Sequence, residues 1–211
     1  MNEETSKLEL MRLCDVSRET MDRLEVYSKL LEKWNPAINL VSKTTLKNKW
    51  HRHFLDSAQL WQHLPNYAKT LVDIGSGAGF AGLVLAIIAL EKKPLLKFIL
   101  IESDSRKCAF MRNVSRETGI DINILTNRIE NVEGLQADIV TARALATLSQ
   151  LLTYSKDILK DGGTCLFLKG DTYVNEVYEA KKSWDFMLKE RQSVTHQNGR
   201  ILQLTGIKHA G

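Results

Sequence analysis

Asp73-Ile74-Gly75-Ser76-Gly77-Ala78-Gly79-Phe80-Ala81-Gly82 sets an acid and then alternating glycines between two apolar segments. Leu71 to Ile74 ahead of it reads as a short strand, and Phe80 to Leu90 behind it as a buried helix. A glycine-rich turn in that setting lets the backbone approach a ligand where a Cβ would clash. It falls at the carboxyl end of a strand, the edge where doubly wound sheets bind ligands. Four glycines in the eight residues from Gly75 exceed what a structural turn needs.

Downstream, strand and helix patterns alternate. Phe98 to Ile101 reads as a strand, and Ser105 to Thr118 as a helix closed by Gly119. Ile122 to Leu125 and Ala137 to Ala142 are further strands. Thr147 to Leu159 reads as a helix closed by Asp161-Gly162-Gly163, followed by a strand at Thr164 to Leu168 and a charged helix from about Thr172 to Leu188. Two late strands, Gln192 to His196 and Arg200 to Thr205, flank the hairpin signal Asn198-Gly199. The alternation predicts an α/β fold, Rossmann-like and doubly wound, with a mostly parallel sheet and a C-terminal antiparallel hairpin.

Upstream, residues 1–65 read as a helical extension and 66–211 as the sheet domain, together one compact unit. Within Ser17 to Trp34, the residues Met21, Leu24, Tyr27, Leu30, Leu31 and Trp34 share one helical face. Ser17 suits an N-cap, and Pro36 should stop the helix. Thr44 or Thr45 should start another, burying Trp50, Phe54, Leu55, Ala58 and Trp61 and ending at Pro65.

Two cofactors compete for the glycine loop. Gly77-x-Gly79-x-x-Gly82 matches the dinucleotide fingerprint, with Glu102 about twenty residues on. A dinucleotide would bring its pyrophosphate beside Asp73 and be repelled. S-adenosylmethionine carries an ammonium and a sulfonium and no phosphate, so Asp73 favours it, directly or through water. Glu102 can accept hydrogen bonds from both ribose hydroxyls. Arg128-Ile129-Glu130 lies where such folds grip adenine, with Ile129 against the ring and Glu130 at its edge.

The acceptor side offers Thr141-Ala142-Arg143-Ala144-Leu145 and no evident general base or cysteine nucleophile. Guanine N7 carries a lone pair and no proton, so its methylation needs no base and proximity could supply most of the rate. Arg143 could hold the guanine O6 or a phosphate, close over the donor, or form a structural ion pair. Lys169-Gly170 follows the next strand, and Lys169 could bind a phosphate or lie solvated at the surface.

Charge is segregated. Met1 to Glu32 has five Lys/Arg against eight Asp/Glu, whereas Lys33 to His53 has five Lys/Arg and no acid. The second stretch could contact phosphates through Lys43, Lys47, Lys49 and Arg52, or simply be a solvated basic face. Trp34 could stack a base; Trp50 and Trp61 suit the core better. His51-x-His53 with Asp56 lacks the partners of a metal site, so no metal is expected. His53 and Asp56 more plausibly tie the N-terminal helices to the sheet. Cys14, Cys108 and Cys165 read as buried free thiols, which fits a reducing, cytoplasmic setting. Met1-Asn2-Glu3-Glu4 is no secretory signal, and no apolar run approaches the ~20 residues of a membrane span. No heptad or apolar stripe demands a dimer, so the chain reads as a monomer.

The chain resembles the bacterial 16S ribosomal RNA guanine-N7 methyltransferases, the glucose-inhibited division protein B family, over nearly its whole length. The resemblance is carried by Trp34-Asn35-Pro36-x-x-Asn39-Leu40-Val41-Ser42, Arg52-His53-Phe54-Leu55-Asp56-Ser57, the glycine loop, Ile101-Glu102-Ser103, Arg143-Ala144 and Lys169-Gly170. It implies a class I methyltransferase acting in the cytoplasm on a guanine N7 of 16S rRNA or the small ribosomal subunit. By position, it implies donor contacts from Gly75, Phe80, Ile129, Glu130 and Arg143, and it puts the Asn39 and His53 motifs near the mouth of the site. Ala78 and Ala81 stand where many members have proline, which should loosen the loop without removing its N–H donors. Two other readings use the same residues: a same-fold methyltransferase acting on a small molecule or protein, and a non-catalytic RNA-binding assembly factor.

Overall fold

The structure is a computed structural model and describes residues 2–210; Met1 and Gly211, the outer residues of the two expected spans, lie outside it. Seven strands form one sheet in the order β3-β2-β1-β4-β5-β7-β6. They are β1 (Thr70–Ile74), β2 (Lys97–Glu102), β3 (Asn123–Thr126), β4 (Ala137–Arg143), β5 (Leu159–Lys169), β6 (Trp184–Gln192) and β7 (Arg200–His209). The first five run parallel; β7 pairs antiparallel to β5, and β6 antiparallel to β7. The expected doubly wound sheet with its antiparallel end is present, and the order reverses between β1 and β4.

The strands alternate their buried residues between two cores, as a period of two dictates. Leu71, Leu100, Ile139 and Leu166 enter one; Val72, Ile101, Val140 and Phe167 enter the other. Helices α1 (Glu3–Cys14) and α2 (Arg18–Ile38) cover the first face, with α5 (Gly82–Lys92) and α6 (Ser105–Thr118). Two short helices, α3 (Lys43–Leu46) and α4 (Asp56–Ala58), complete the N-terminal segment, and α7 (Leu148–Lys156) and α8 (Tyr173–Ala180) cover the second face. The N-terminal helices therefore share a core with the sheet: Leu10, Leu24, Tyr27 and Leu31 are buried with Leu83, Ile87, Phe110 and Val114. All three cysteines are buried and unbridged. Among the described residues, no helix is long and apolar enough to cross a membrane.

Five expectations need correction. Ser17 does cap α2, its hydroxyl accepting the Thr20 N–H, but Pro36 does not stop the helix. It sits in the last turn, where the missing N–H removes one bond; the helix runs to Ile38, and Asn39 in the left-handed conformation closes it. The helix expected from Thr44 or Thr45 is a composite: α3 capped by Ser42, a π-helical turn Trp50–Leu55, α4, then a 3₁₀ turn Gln59–His63. Asp161-Gly162-Gly163 does not close α7, which ends at Lys156; it lies inside β5. The charged helix ends at Ala180, because Trp184, Phe186 and Leu188 alternate toward the second core as β6. Asn198-Gly199 consequently belongs to a longer loop between β6 and β7, with Gly199 N–H bonded to the His196 carbonyl.

Candidate active site

The glycine loop leaves β1 at the point where the strand order reverses. Gly75, Gly77 and Gly79 have φ of 61°, 59° and 92°, conformations open to glycine at little cost. Gly77 and Gly79 serve different ends. A Cβ on Gly77 would meet nothing nearer than the Gly75 carbonyl at 3.9 Å and would project into open space, whereas one on Gly79 would strike Leu83 of α5. Gly79 thus permits helix packing, and Gly77 clears the cleft. From α2, the Tyr27 hydroxyl donates to the Ala78 carbonyl at 2.6 Å, and its ring stacks on Phe80 at 5.1 Å.

A cleft of about 410 Å³ opens over this loop. Of the residues expected around a donor, Gly75, Gly77, Phe80, Glu102, Ile129, Glu130 and Arg143 line it. Asp73 and Gly79 do not; they lie in the layer beneath. Asp73 is 1% exposed, accepts the Thr141 hydroxyl at 2.7 Å on Oδ1, and has no hydrogen-bond partner for Oδ2. Burial pushes its carboxyl above the usual carboxylate range, against the pull of Thr141. Glu102 ends β2, accepting the Gly77 N–H at 2.9 Å on one oxygen and the Asp104 N–H at 2.8 Å on the other. Each carboxylate oxygen has a second acceptor site, so both remain able to bind hydroxyls. Ser103, of the Ile101-Glu102-Ser103 motif, also lines the cleft, as do Asn127 and Tyr154, which belong to no motif in the sequence. Asn127 follows the strand end that pairs with Glu102, which is a usable signal; Tyr154 comes from α7, for which the local sequence gives none.

Arg143 forms the wall between this cleft and a second of about 460 Å³, and Ala144 beside it takes a left-handed φ of 50°. Its guanidinium donates from Nη1 to the Arg52 carbonyl at 2.9 Å and to Asp56 Oδ2 at 3.2 Å, meets His53 Nδ1 from Nη2 at 2.9 Å, and lies 5.2 Å from the centroid of Phe80. Asp56 Oδ1 accepts the Thr195 hydroxyl and the Gln59 amide. The π-helical turn thus delivers the Arg52 carbonyl and the His53 ring to one arginine. Burial, then the charges of Arg143 and Arg52, hold His53 down at about 3, so it is neutral at physiological pH. With Arg143 donating, Nδ1 is the acceptor and the proton lies on Nε2. The link expected from His53 and Asp56 between the N-terminal helices and the sheet is this network.

The residues expected to meet a polyanion divide. Asn39, Lys43, Lys47 and Arg52 are exposed, and Arg52 and Thr45 border the second cleft. Lys49 is corrected: it is buried, and its ammonium pairs with Glu32 at 3.0 Å and Glu3 at 3.3 Å, leaving no free charge for a phosphate. Trp34 is half-buried against Phe110, and Trp50 is a core residue. His53 is buried against Arg143 and, with Arg52 and Asp56 of its motif, lines the second cleft. Lys169 lines the second cleft, but its ammonium donates to the Ala146 carbonyl and pairs with Glu176. Among the described residues, no group of three or more His, Cys, Asp or Glu could hold a metal ion.

A parallel sheet with this loop at its reversal point, an acid ending the second strand and helices on both faces is the architecture of the Rossmann-like methyltransferases. Solved structures agree in fold. A ribosomal protein L11 methylase from Lactobacillus delbrueckii subsp. bulgaricus superposes with a TM-score of 0.57 at 15% identity, covering 76% of this chain and 80% of that one. M. jannaschii TYW2 in complex with AdoMet gives 0.51 at 14% identity, covering 70% and 72%. The chain belongs to the GidB family, rRNA small subunit methyltransferase G, whose model matches residues 20–205. It is 50% identical over 196 residues to the ribosomal RNA small subunit methyltransferase G of Rhodospirillum centenum, covering 93% of this chain and 88% of that one. Identity to the protein of the same name from Ruegeria pomeroyi is 46% over 193 residues, covering 92% and 94%.

Proposed function

We propose that this chain transfers a methyl group from S-adenosylmethionine to N7 of a guanine in 16S rRNA, by positioning the reactants without a general base. The carrying observation is that two clefts meet at one arginine, whose guanidinium is already fixed by Arg52, Asp56 and His53. Bound S-adenosylmethionine supplies an activated methyl on a sulfonium. The first cleft fits it: Glu102 retains acceptor capacity for ribose hydroxyls, Gly77 leaves the backbone uncovered, and the buried Oδ2 of Asp73 favours a cation nearby. Family membership and the methyltransferase names of the relatives support the same donor and an rRNA acceptor. At the junction Arg143 is a donor only, and the Nδ1 lone pair of His53 is engaged by it. An acceptor nitrogen with no proton to lose matches that chemistry.

A thermal-shift series tests the donor. A ligand that binds only the native state stabilises it by RT ln(1 + [L]/Kd), about 2.7 kcal/mol at a hundredfold excess over Kd. S-adenosylmethionine and its demethylated product should raise the melting temperature, and NAD should not. Stabilisation by NAD alone would reverse the assignment.

Exposed Lys43 and Lys47, with Arg52, form the approach of RNA to the second cleft. Replacing both lysines by glutamine should weaken RNA binding and reduce its salt slope by roughly 0.7–0.9 for each phosphate no longer neutralised. Donor affinity should not change. Lys49→Gln should behave differently, lowering stability because Glu3 and Glu32 lose their shared cation. An unchanged salt slope in the double variant would make Lys43 and Lys47 a solvated face.

A further inference from the structure

The second cleft shares the Arg143–Ala144 wall with the donor cleft, so a base seated there faces the donor. Three carboxylates line it: Asp56, Asp171 and Glu176. Asp56 is spent on Arg143, Thr195 and Gln59. Glu176 takes the Leu148 N–H at 2.9 Å and the Lys169 ammonium on one oxygen, and the Thr172 hydroxyl at 2.8 Å on the other. Asp171 alone is uncommitted. Its side chain is 65% exposed and makes no hydrogen bond among the described residues; the nearest titratable group is the half-exposed His196, whose Nδ1 stands 3.7 Å away and is a buried atom with no hydrogen-bond partner.

We infer that the second cleft holds the acceptor base and that Asp171 reads its Watson–Crick edge, selecting guanine. This rests on the methyl-transfer reading of the two clefts. A carboxylate is an acceptor only, with two oxygens in a fork. Guanine offers it two adjacent donors, N1–H and the N2 amine. Adenine presents an unprotonated N1 there, which the carboxylate repels, and pyrimidines have no N7. The N7 edge of a purine adjoins the Watson–Crick edge and shares O6 with it. A guanine gripped at N1–H and N2 by Asp171, just past the end of β5, can therefore turn O6 and N7 toward Arg143, at the end of neighbouring β4. Arg143 keeps its Nε–H and one Nη2–H for the O6 side of that edge. Single-stranded RNA is commonly read this way, through splayed bases bonded along their edges.

The test is a cycle between protein and base. The position methylated by the natural enzyme is mapped first. Single-turnover transfer is then measured on rRNA carrying guanine or inosine there, inosine lacking only the N2 amine. The natural enzyme should be about tenfold slower on inosine, the equivalent of one hydrogen bond to a charged group. Asp171→Ala should be roughly thirtyfold slower on guanine, with little further loss on inosine. Asp171→Asn, which turns an amide donor toward N1–H, should also lose the guanine preference. Donor affinity and melting temperature should match the natural enzyme, since Asp171 supports no other group. A tenfold guanine-to-inosine ratio retained in Asp171→Ala, or unchanged guanine rates, would overturn the role of Asp171 while leaving the transfer reading intact. Methyl found on any atom other than guanine N7, or no transfer by the natural enzyme, would overturn both.

Discussion

Arg143→Ala should cut single-turnover methyl transfer by roughly a hundredfold or more, the scale on which one misplaced group costs an enzyme that works by orientation. The guanidinium lines both clefts and is fixed by three partners, so its loss frees the wall between them. Arg143→Lys should recover little. An ammonium is a point charge and cannot serve the Arg52 carbonyl, Asp56 and His53 from one plane. The pH profile carries the mechanistic content. Arginine stays protonated throughout the working range, and His53, held at about 3, is neutral well below it. The rate of the natural enzyme should thus be flat from about pH 6 to 9, with no limb from a titrating base. A limb near pH 7, or full activity in Arg143→Ala, would favour an acceptor that must lose a proton. Stability shows the complementary sign. A histidine whose folded value lies below its ordinary 6.5 contributes stability above 6.5 and loses it as pH falls toward 3. Removing Arg143 takes away one of the charges holding His53 down, so that loss should fall in a narrower window, ending at higher pH.

The second large effect is on donor binding. Glu102→Ala should weaken S-adenosylmethionine by about two to four orders of magnitude. Two hydrogen bonds from ribose hydroxyls to a charged acceptor contribute roughly 1.5–3 kcal/mol each, and each 1.4 kcal/mol is a factor of ten. The substitution also strips the Gly77 and Asp104 N–H groups of their partner, so the loop and the start of α6 lose their common anchor. Glu102→Gln keeps the shape but offers one acceptor oxygen and an amide N–H donor, and should fall between the natural enzyme and Glu102→Ala. Calorimetric titration with S-adenosylmethionine and its demethylated product measures both. An unchanged Kd in Glu102→Ala would remove the ribose from this end of the cleft.

Much of this site is legible in the chain because its parts are local. The acid, the alternating glycines and Glu102 lie at the ends of consecutive strands, where the sheet brings them together. Ser105–Thr118 with Gly119 is read residue for residue, since cap, apolar period and left-handed stop all lie within the segment. What fails is decided by distant partners. Lys49 belongs to a basic run and looks available; it is buried because α1 brings Glu3 and α2 brings Glu32 to it. The stretch from Trp184 to Leu188 looks like the end of a charged helix, yet its alternating apolar residues find a strand partner only in β7. Asp56 and Thr195 meet across the fold from positions with no shared motif.

Because α1 and α2 bury their apolar faces against α5 and α6, synthesis of this chain has a period of delay built into it. When residue 64 emerges from the ribosome, Leu10, Leu24, Tyr27 and Leu31 have no complete surface to cover them until Thr118 has followed. At about 5–20 residues per second, that leaves the first helices waiting roughly 3–10 s with their apolar stripes open to solvent, the interval in which a nascent chain is most exposed to chaperones and proteases.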